Sequence, residues 1–224
     1  DASKFAIAAE YNSMVTALGA YGTNAYTSED RTVYMNDVPA NQLDNWLRIE
    51  GNRFRKIVPR LFHTELEAVY EEKNMSLDND YSKSFESLFR SIFPKHQYGT
   101  QTVIGTIDHL KNPSITEIKK YFDTYYRPNN VAICLSGDLD YDKTITLIEK
   151  YFGDWQANEN IPKWTKTEED PITAPRAEEV LGPDAEWIYF GFRFNGRNSD
   201  DYGLLTLVNL ILSNSQAGLI DLNL

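Results

Sequence analysis

The chain has 224 residues, 42% of them apolar and 25% charged, with a formal net charge of −11, proportions of a globular protein able to bury a substantial core. The acidic balance argues against a nucleic-acid partner, and no apolar run is long enough for a membrane span, the longest, Leu204 to Leu212, being broken by Thr206 and Asn209. A single cysteine, Cys134, excludes an internal disulfide framework and a cysteine-rich zinc site, and its place in Val131-Ala132-Ile133-Cys134-Leu135 predicts a buried structural thiol.

The opening Asp1-Ala2-Ser3-Lys4, without initiator Met or signal pattern, reads as a mature or trimmed segment. Met14 to Gly22 is mixed apolar and small, closing on the turn-forming Gly19 and Gly22. Asn24 to Asp37 carries Tyr26, Thr32, Val33 and Tyr34, which predicts a β-hairpin or edge strand. Pro39 marks a helix start, and Leu43, Trp46, Leu47, Ile49, Glu50 and Phe54 follow at helical spacing, ending by Pro59. Arg48, Arg53, Arg55, Lys56 and Arg60 in the same stretch predict a solvated basic face beside acidic neighbours.

Thr64 can cap a second helix, with Glu67 completing a capping box and Leu66, Val69 and Tyr70 on the apolar side, running to about Asp78. A third is predicted over Lys83 to Ile92, stopped by Pro94. Lys95 to Pro113, rich in Gly and Thr, is too long for a simple turn and is therefore functional, mobile or wrapped on the surface. Ser114 with Glu117 opens the next helix, to Tyr126, closed by Pro128. Asn130 to Ser136 reads as a short apolar strand, Gly137-Asp138 as a turn, and Tyr141 to Phe152 as a helix.

Asn158 to Gly182 is proline-rich and charged, an exposed linker. Trp187 to Phe194 alternates Ile188, Phe190, Phe192 and Phe194 on one side, as a half-buried strand does. Asp200 or Asp201 caps a last helix carrying Leu204, Leu205, Val208 and Ile211. The order predicts an α+β fold, a mostly antiparallel sheet with helices packed on one face. It forms one domain over 1–224, incomplete at both ends: 1–157, a linker over 158–183, and 184–224 as the start of a C-terminal part.

No GxGxxG, P-loop, nucleophile elbow or CxxC pair is present. His63, His96 and His109 are too far apart for a local ligand pair, neither HxxEH nor HxxxH occurs, and each reads as a surface or hydrogen-bonded histidine. The helix at Thr64 to Ser76 is more informative. Glu65 and Glu72 lie two turns apart on one face. One helical carboxylate can ligate Zn²⁺ while a second orients a neighbouring histidine. Taken alone, four glutamates on one helix are more usually a solvated acidic face.

Glu65-xx-Ala68-Val69-xx-Glu72 after Pro59-x-Leu61-Phe62 resembles the helix that supplies the third zinc ligand in the insulinase–pitrilysin (inverzincin, M16-type) metallopeptidases. In the same order, Asn24-Ala25-Tyr26-Thr27 with Thr32-Val33-Tyr34 is similar to that family's substrate-facing edge strand, and Tyr98-Gly99 with Gly105 and Leu110 to the connection after the ligand helix. Tyr125-Tyr126-Arg127-Pro128-Asn129-Asn130, Gly137-Asp138 and Tyr151-Phe152-Gly153 resemble its crossover strand and helix. The resemblance spans nearly the whole chain and rests on collinear order.

The resemblance implies a half-domain of the insulinase–pitrilysin or mitochondrial processing peptidase type, from a parent that uses zinc to hydrolyse extended peptides. It implies Glu72 as a zinc ligand, Glu65 as the glutamate supporting it from one shell out, and Asn24, Ala25 and Tyr26 as the strand that pairs with peptide. It also implies a second homologous half or subunit as partner. The family's HxxEH, source of two histidine ligands and the general base, is missing here; family spacing places it at or just before Asp1. Alone, then, the chain is expected to be inactive and to hold no zinc. The alternatives are a non-catalytic partner subunit or a peptide-binding module of the same fold. A bacterial envelope and a cytoplasmic home are both compatible.

Overall fold

Tyr21–Thr27 (β1) and Thr32–Asp37 (β2) form an antiparallel hairpin, pairing Asn24 with Met35, Ala25 with Tyr34, Tyr26 with Val33 and Thr27 with Thr32. The computed structural model describes residues 7–223. Ser28 N–H donates to Arg31 O (2.8 Å) at the turn, so 28 and 31 form a hydrogen-bonded pair. The alternation of an antiparallel ladder then makes 26/33 and 24/35 hydrogen-bonded pairs, and turns the main-chain groups of Ala25 and Thr27 away from β2. The register slips between Tyr21 and Asn24. Gly22 sits there at φ +64, where an added Cβ would meet Asp37 Oδ2 at 2.7 Å.

A short helix, Glu10–Ala17 (α1), precedes the hairpin. After it come a 3₁₀ turn at Ala40–Gln42, Leu43–Arg55 (α2), Phe62–Asp78 (α3), Asp80–Ile92 (α4), Gln97–Thr100 (α5), Ile107–Lys111 (α6), Ile115–Tyr125 (α7), Tyr141–Phe152 (α8) and Asp201–Leu212 (α9). Side-chain caps set several starts. Asn79 accepts from Ser82 N–H (2.8 Å), Ser114 from Glu117 N–H (3.2 Å) and Asp140 from Lys143 N–H (3.0 Å). Thr64 does not cap α3. The helix starts two residues earlier, Leu61 takes the left-handed conformation (φ 54), and the Thr64 and Glu65 N–H groups donate to Leu61 O. Asp200 likewise flanks α9 without a side-chain cap.

The predicted mostly antiparallel sheet is not what forms. Among the described residues the sheet has two strands, and the fold is mixed and helix-rich. Asn130 to Ser136 and Trp187 to Phe194 have strand composition but no ladder. Composition makes a segment extend, yet only a neighbouring strand makes it part of a sheet. Cys134 is exposed for the same reason: among the described residues no strand pairs with the run around it. Trp187 to Phe194 instead crosses α4, with Gly191 against Leu88 and Ile92 and Tyr81 edge-on to Trp187 and Tyr189. Ile188, Phe190, Phe192 and Phe194 remain 61–79% exposed.

α2 and α8 pack closely at Gly51, where an added Cβ would lie 2.8 Å from Tyr151 O. Leu47 is fully buried on α2. Phe54 carries Tyr34, Tyr126 and Trp155 on its ring. The 158–182 stretch has neither helix nor strand, and Glu169 ties it down by accepting from Lys95 and His96 N–H (2.8 and 2.7 Å). Among the described residues no helix is long and apolar enough to cross a membrane.

Candidate functional site

One open surface cleft of about 590 Å³ is lined by Ala25, Tyr26, Thr27, Thr32 and Tyr34 of the hairpin, by Glu72 of α3, and by Thr102, Val103 and Ile104 of the α5–α6 connection. The orientation of Glu72 follows from its neighbour. Lys73 is buried, with Nζ 3.2 Å from Glu86 Oε1 of α4. Consecutive helical residues point about 100° apart, so fixing Lys73 against α4 turns Glu72 outward. Among the described residues the Glu72 carboxylate makes no hydrogen bond or ion pair.

The sequence-derived site residues are therefore partly gathered. Ala25, Tyr26 and Glu72 meet at one cleft. Asn24 does not line it, and its Oδ1 accepts the outward-facing Ala25 N–H (2.8 Å). Glu65, two turns back on α3, is exposed and lies outside the lining, as are Glu67 and Glu71. β1 is exposed at all seven positions. Among the described residues only β2 pairs with it, so its other edge turns the main-chain groups of Thr27 and the Ala25 carbonyl toward an extended peptide.

A tetrahedral catalytic zinc site takes three protein ligands. His63 stacks its ring edge on Phe62, His96 Nδ1 accepts from Tyr98 N–H (3.1 Å), and His109 is exposed on α6. Among the described residues no three His, Cys, Asp or Glu side chains group as a metal site. These residues thus offer one carboxylate toward a metal and do not by themselves fit a zinc ion.

Behind the hairpin is a feature that the reading of a solvated basic face missed. Arg48, Arg55, Lys56 and Arg60 are exposed, but the Arg53 guanidinium lies over the rings of Tyr11 (4.7 Å), Tyr34 (4.2 Å) and Phe54 (4.7 Å). It pairs with Glu50 Oε2 at 2.5 Å, and Glu50 is 4% exposed. Tyr11 Oη donates to Glu50 Oε1 (2.7 Å) and accepts from Asn36 Nδ2 (2.8 Å). Burial, and then the Glu50 carboxylate, push the Tyr11 hydroxyl up to about 12. Burial and the hydrogen bond to Tyr34 (2.7 Å) raise Tyr126 as well. The clue was in the spacing: Leu47, Glu50, Arg53 and Phe54 share one face of α2, so two charges sit in an apolar stripe.

The family model described as the Peptidase M16 inactive domain matches residues 114–221. The chain is 24% identical over 216 residues to the zinc protease PqqE of Helicobacter pylori, covering 94% of this chain and 48% of that protein. It is 24% identical over 155 residues to the mitochondrial-processing peptidase β subunit of Saccharomyces cerevisiae, covering 68% of this chain and 32% of that one. The crystal structure of a protease from Helicobacter pylori superposes with a TM-score of 0.63 at 26% identity, over 69% of this chain and 38% of that chain. The chain thus spans about half the length of the bacterial relative.

Proposed function

We propose that this chain, similar to M16 zinc peptidases over most of its length, contributes a peptide-binding edge strand and one zinc-ligating carboxylate, Glu72, to a peptidase of that family. The observation that carries the reading is that Glu72 lines the same open cleft as Ala25 and Tyr26. An extended peptide adds to the open edge of β1, where Thr27 offers its main-chain groups and Ala25 its carbonyl, the Ala25 N–H being held by Asn24 Oδ1. Recognition by main-chain hydrogen bonds makes few demands on side chains. Such a peptide runs past Glu72, while Val103 and Ile104 give its side chains an apolar wall. Glu65, exposed on the same helix, supports Glu72 indirectly through a neighbouring ligand. The two histidine ligands and general base of an HxxEH motif are contributed by residues other than these 224.

A second reading has an observation of its own. The family model that matches residues 114–221 is described as the inactive domain, which favours a peptide-binding subunit that does no chemistry. Two variants of the full-length protein separate the readings. Glu72→Gln should lower zinc content and peptide hydrolysis together. Thr27→Pro removes one outward N–H where proline is tolerated, and should raise KM while leaving zinc content unchanged. Full hydrolysis by both variants would contradict the proposal. Peptide binding without zinc or hydrolysis in the unaltered protein would establish the second reading.

A further inference from the structure

Resting on the edge-strand reading above, we infer that Arg53, paired with Glu50, is a positioning residue that seats the peptide-binding hairpin against α2. The hairpin has little apolar burial of its own: every residue of β1 is exposed, and in β2 only Val33 and Asn36 are half-buried. Something else must hold it at a fixed distance from Glu72. Besides the Tyr34 hydroxyl bond to Tyr126 (2.7 Å) and its edge contact with Phe54, the contacts behind it meet at one ion pair. Arg53 lies 4.2 Å from the centroid of Tyr34, a residue that also lines the cleft. Glu50 holds Tyr11, Tyr11 holds Asn36, and Asn36 Oδ1 accepts from Thr23 Oγ1 (3.0 Å) on β1. The chain of contacts therefore runs from α2 through β2 to the strand with the open edge.

The chemistry suits positioning better than stability. A buried ion pair regains little over an apolar pair of similar size, because desolvation offsets its attraction. What it adds is direction. A guanidinium is planar and multidentate, able to satisfy a carboxylate in its plane while its faces lie on aromatic rings. Arg53 uses Nε and Nη2 on Glu50 (3.2 and 2.5 Å) and sits over three rings. An apolar substitute would fill the space without fixing the angle of Tyr34 or the place of Tyr11.

The test compares the full chain with the double variant Glu50→Leu/Arg53→Met and with Arg53→Lys. Thermal midpoint, hydrogen exchange of the Val33 and Met35 amides, and affinity for a fluorescein-labelled unstructured peptide are read for each. In the double variant the midpoint should hold or rise, exchange at the two hairpin amides should quicken by about tenfold, and peptide affinity should fall by about tenfold or more. Arg53→Lys, which keeps the charge and loses the fork, should fall between. Unchanged hairpin exchange overturns the inference, and so does a midpoint that falls in step with exchange and affinity, which would make the pair a stability element only. Thr27→Pro, which removes an outward N–H of β1, separates the two ideas. If peptide binding survives it, or is absent from the start, the edge reading fails, and hairpin exchange alone decides the seating role.

Discussion

Tyr11 is the residue whose ionisation the fold opposes most legibly. Its hydroxyl donates to a buried carboxylate, and losing that proton would set two negative charges face to face. The folded value is raised from 10.0 to about 12, so its contribution to stability is complete below pH 10 and is lost as pH climbs toward 12. Tyr11→Phe removes that dependence. Denaturation midpoints measured from pH 8 to 12 should converge, the unaltered protein losing its margin over the variant across the upper two units. Parallel curves would mean that Tyr11 does not donate to Glu50. The Arg53 cluster and exposed Cys134 were both misread at this scale, because charge and apolarity along a sequence do not say which neighbours arrive from elsewhere. Tyr11 and Tyr34 come from outside α2 to cover Arg53, and no strand comes to cover Cys134.

Between elements, the asymmetric pair Lys73–Glu86 makes a sharp prediction. Lys73 is buried while the Glu86 side chain is 30% exposed. Removing the carboxylate strands a buried ammonium, so Glu86→Leu should cost about 3 kcal/mol. Lys73→Met fills similar space and leaves a glutamate that water can reach, so it should cost less than about 1 kcal/mol. Chemical denaturation of the two variants measures the difference; equal losses would mean that the pair is not buried as described. Gly51 tests the α2–α8 contact. Alanine gains about 1 kcal/mol of helix propensity, but its Cβ would press to 2.8 Å from Tyr151 O. Gly51→Ala should therefore destabilise by about 1–3 kcal/mol net of that gain.

Local signals placed these helices well. Ser114 with Glu117, and Asp140 after Gly137, fix the starts of α7 and α8 with short-range hydrogen bonds that sequence displays. The hairpin was legible from its alternation and composition. Strand pairing of Asn130 to Ser136 and of Trp187 to Phe194 was not, since a ladder depends on a second segment that composition of the first cannot name.

For the whole molecule, α3, the hairpin and the 102–104 segment come from separate parts of the chain and meet at one cleft. Their collinear order was readable in the sequence; that Ala25 and Glu72 line one cleft was not, because it depends on Lys73 docking on α4. The central claim is that Glu72 binds metal while its neighbours on α3 do not. The decisive measurement is zinc content and peptide hydrolysis of the full-length protein carrying Glu72→Gln, Glu65→Gln or Glu71→Gln, each of which removes one charge from the same helix. Glu72→Gln should abolish hydrolysis and release zinc, since a neutral amide oxygen is a poor zinc ligand. Glu65→Gln should cost about ten- to a hundredfold, and Glu71→Gln, turned about 100° from the cleft-facing position, should be silent. Equal losses at positions 71 and 72 would make α3 an acidic surface and contradict the account.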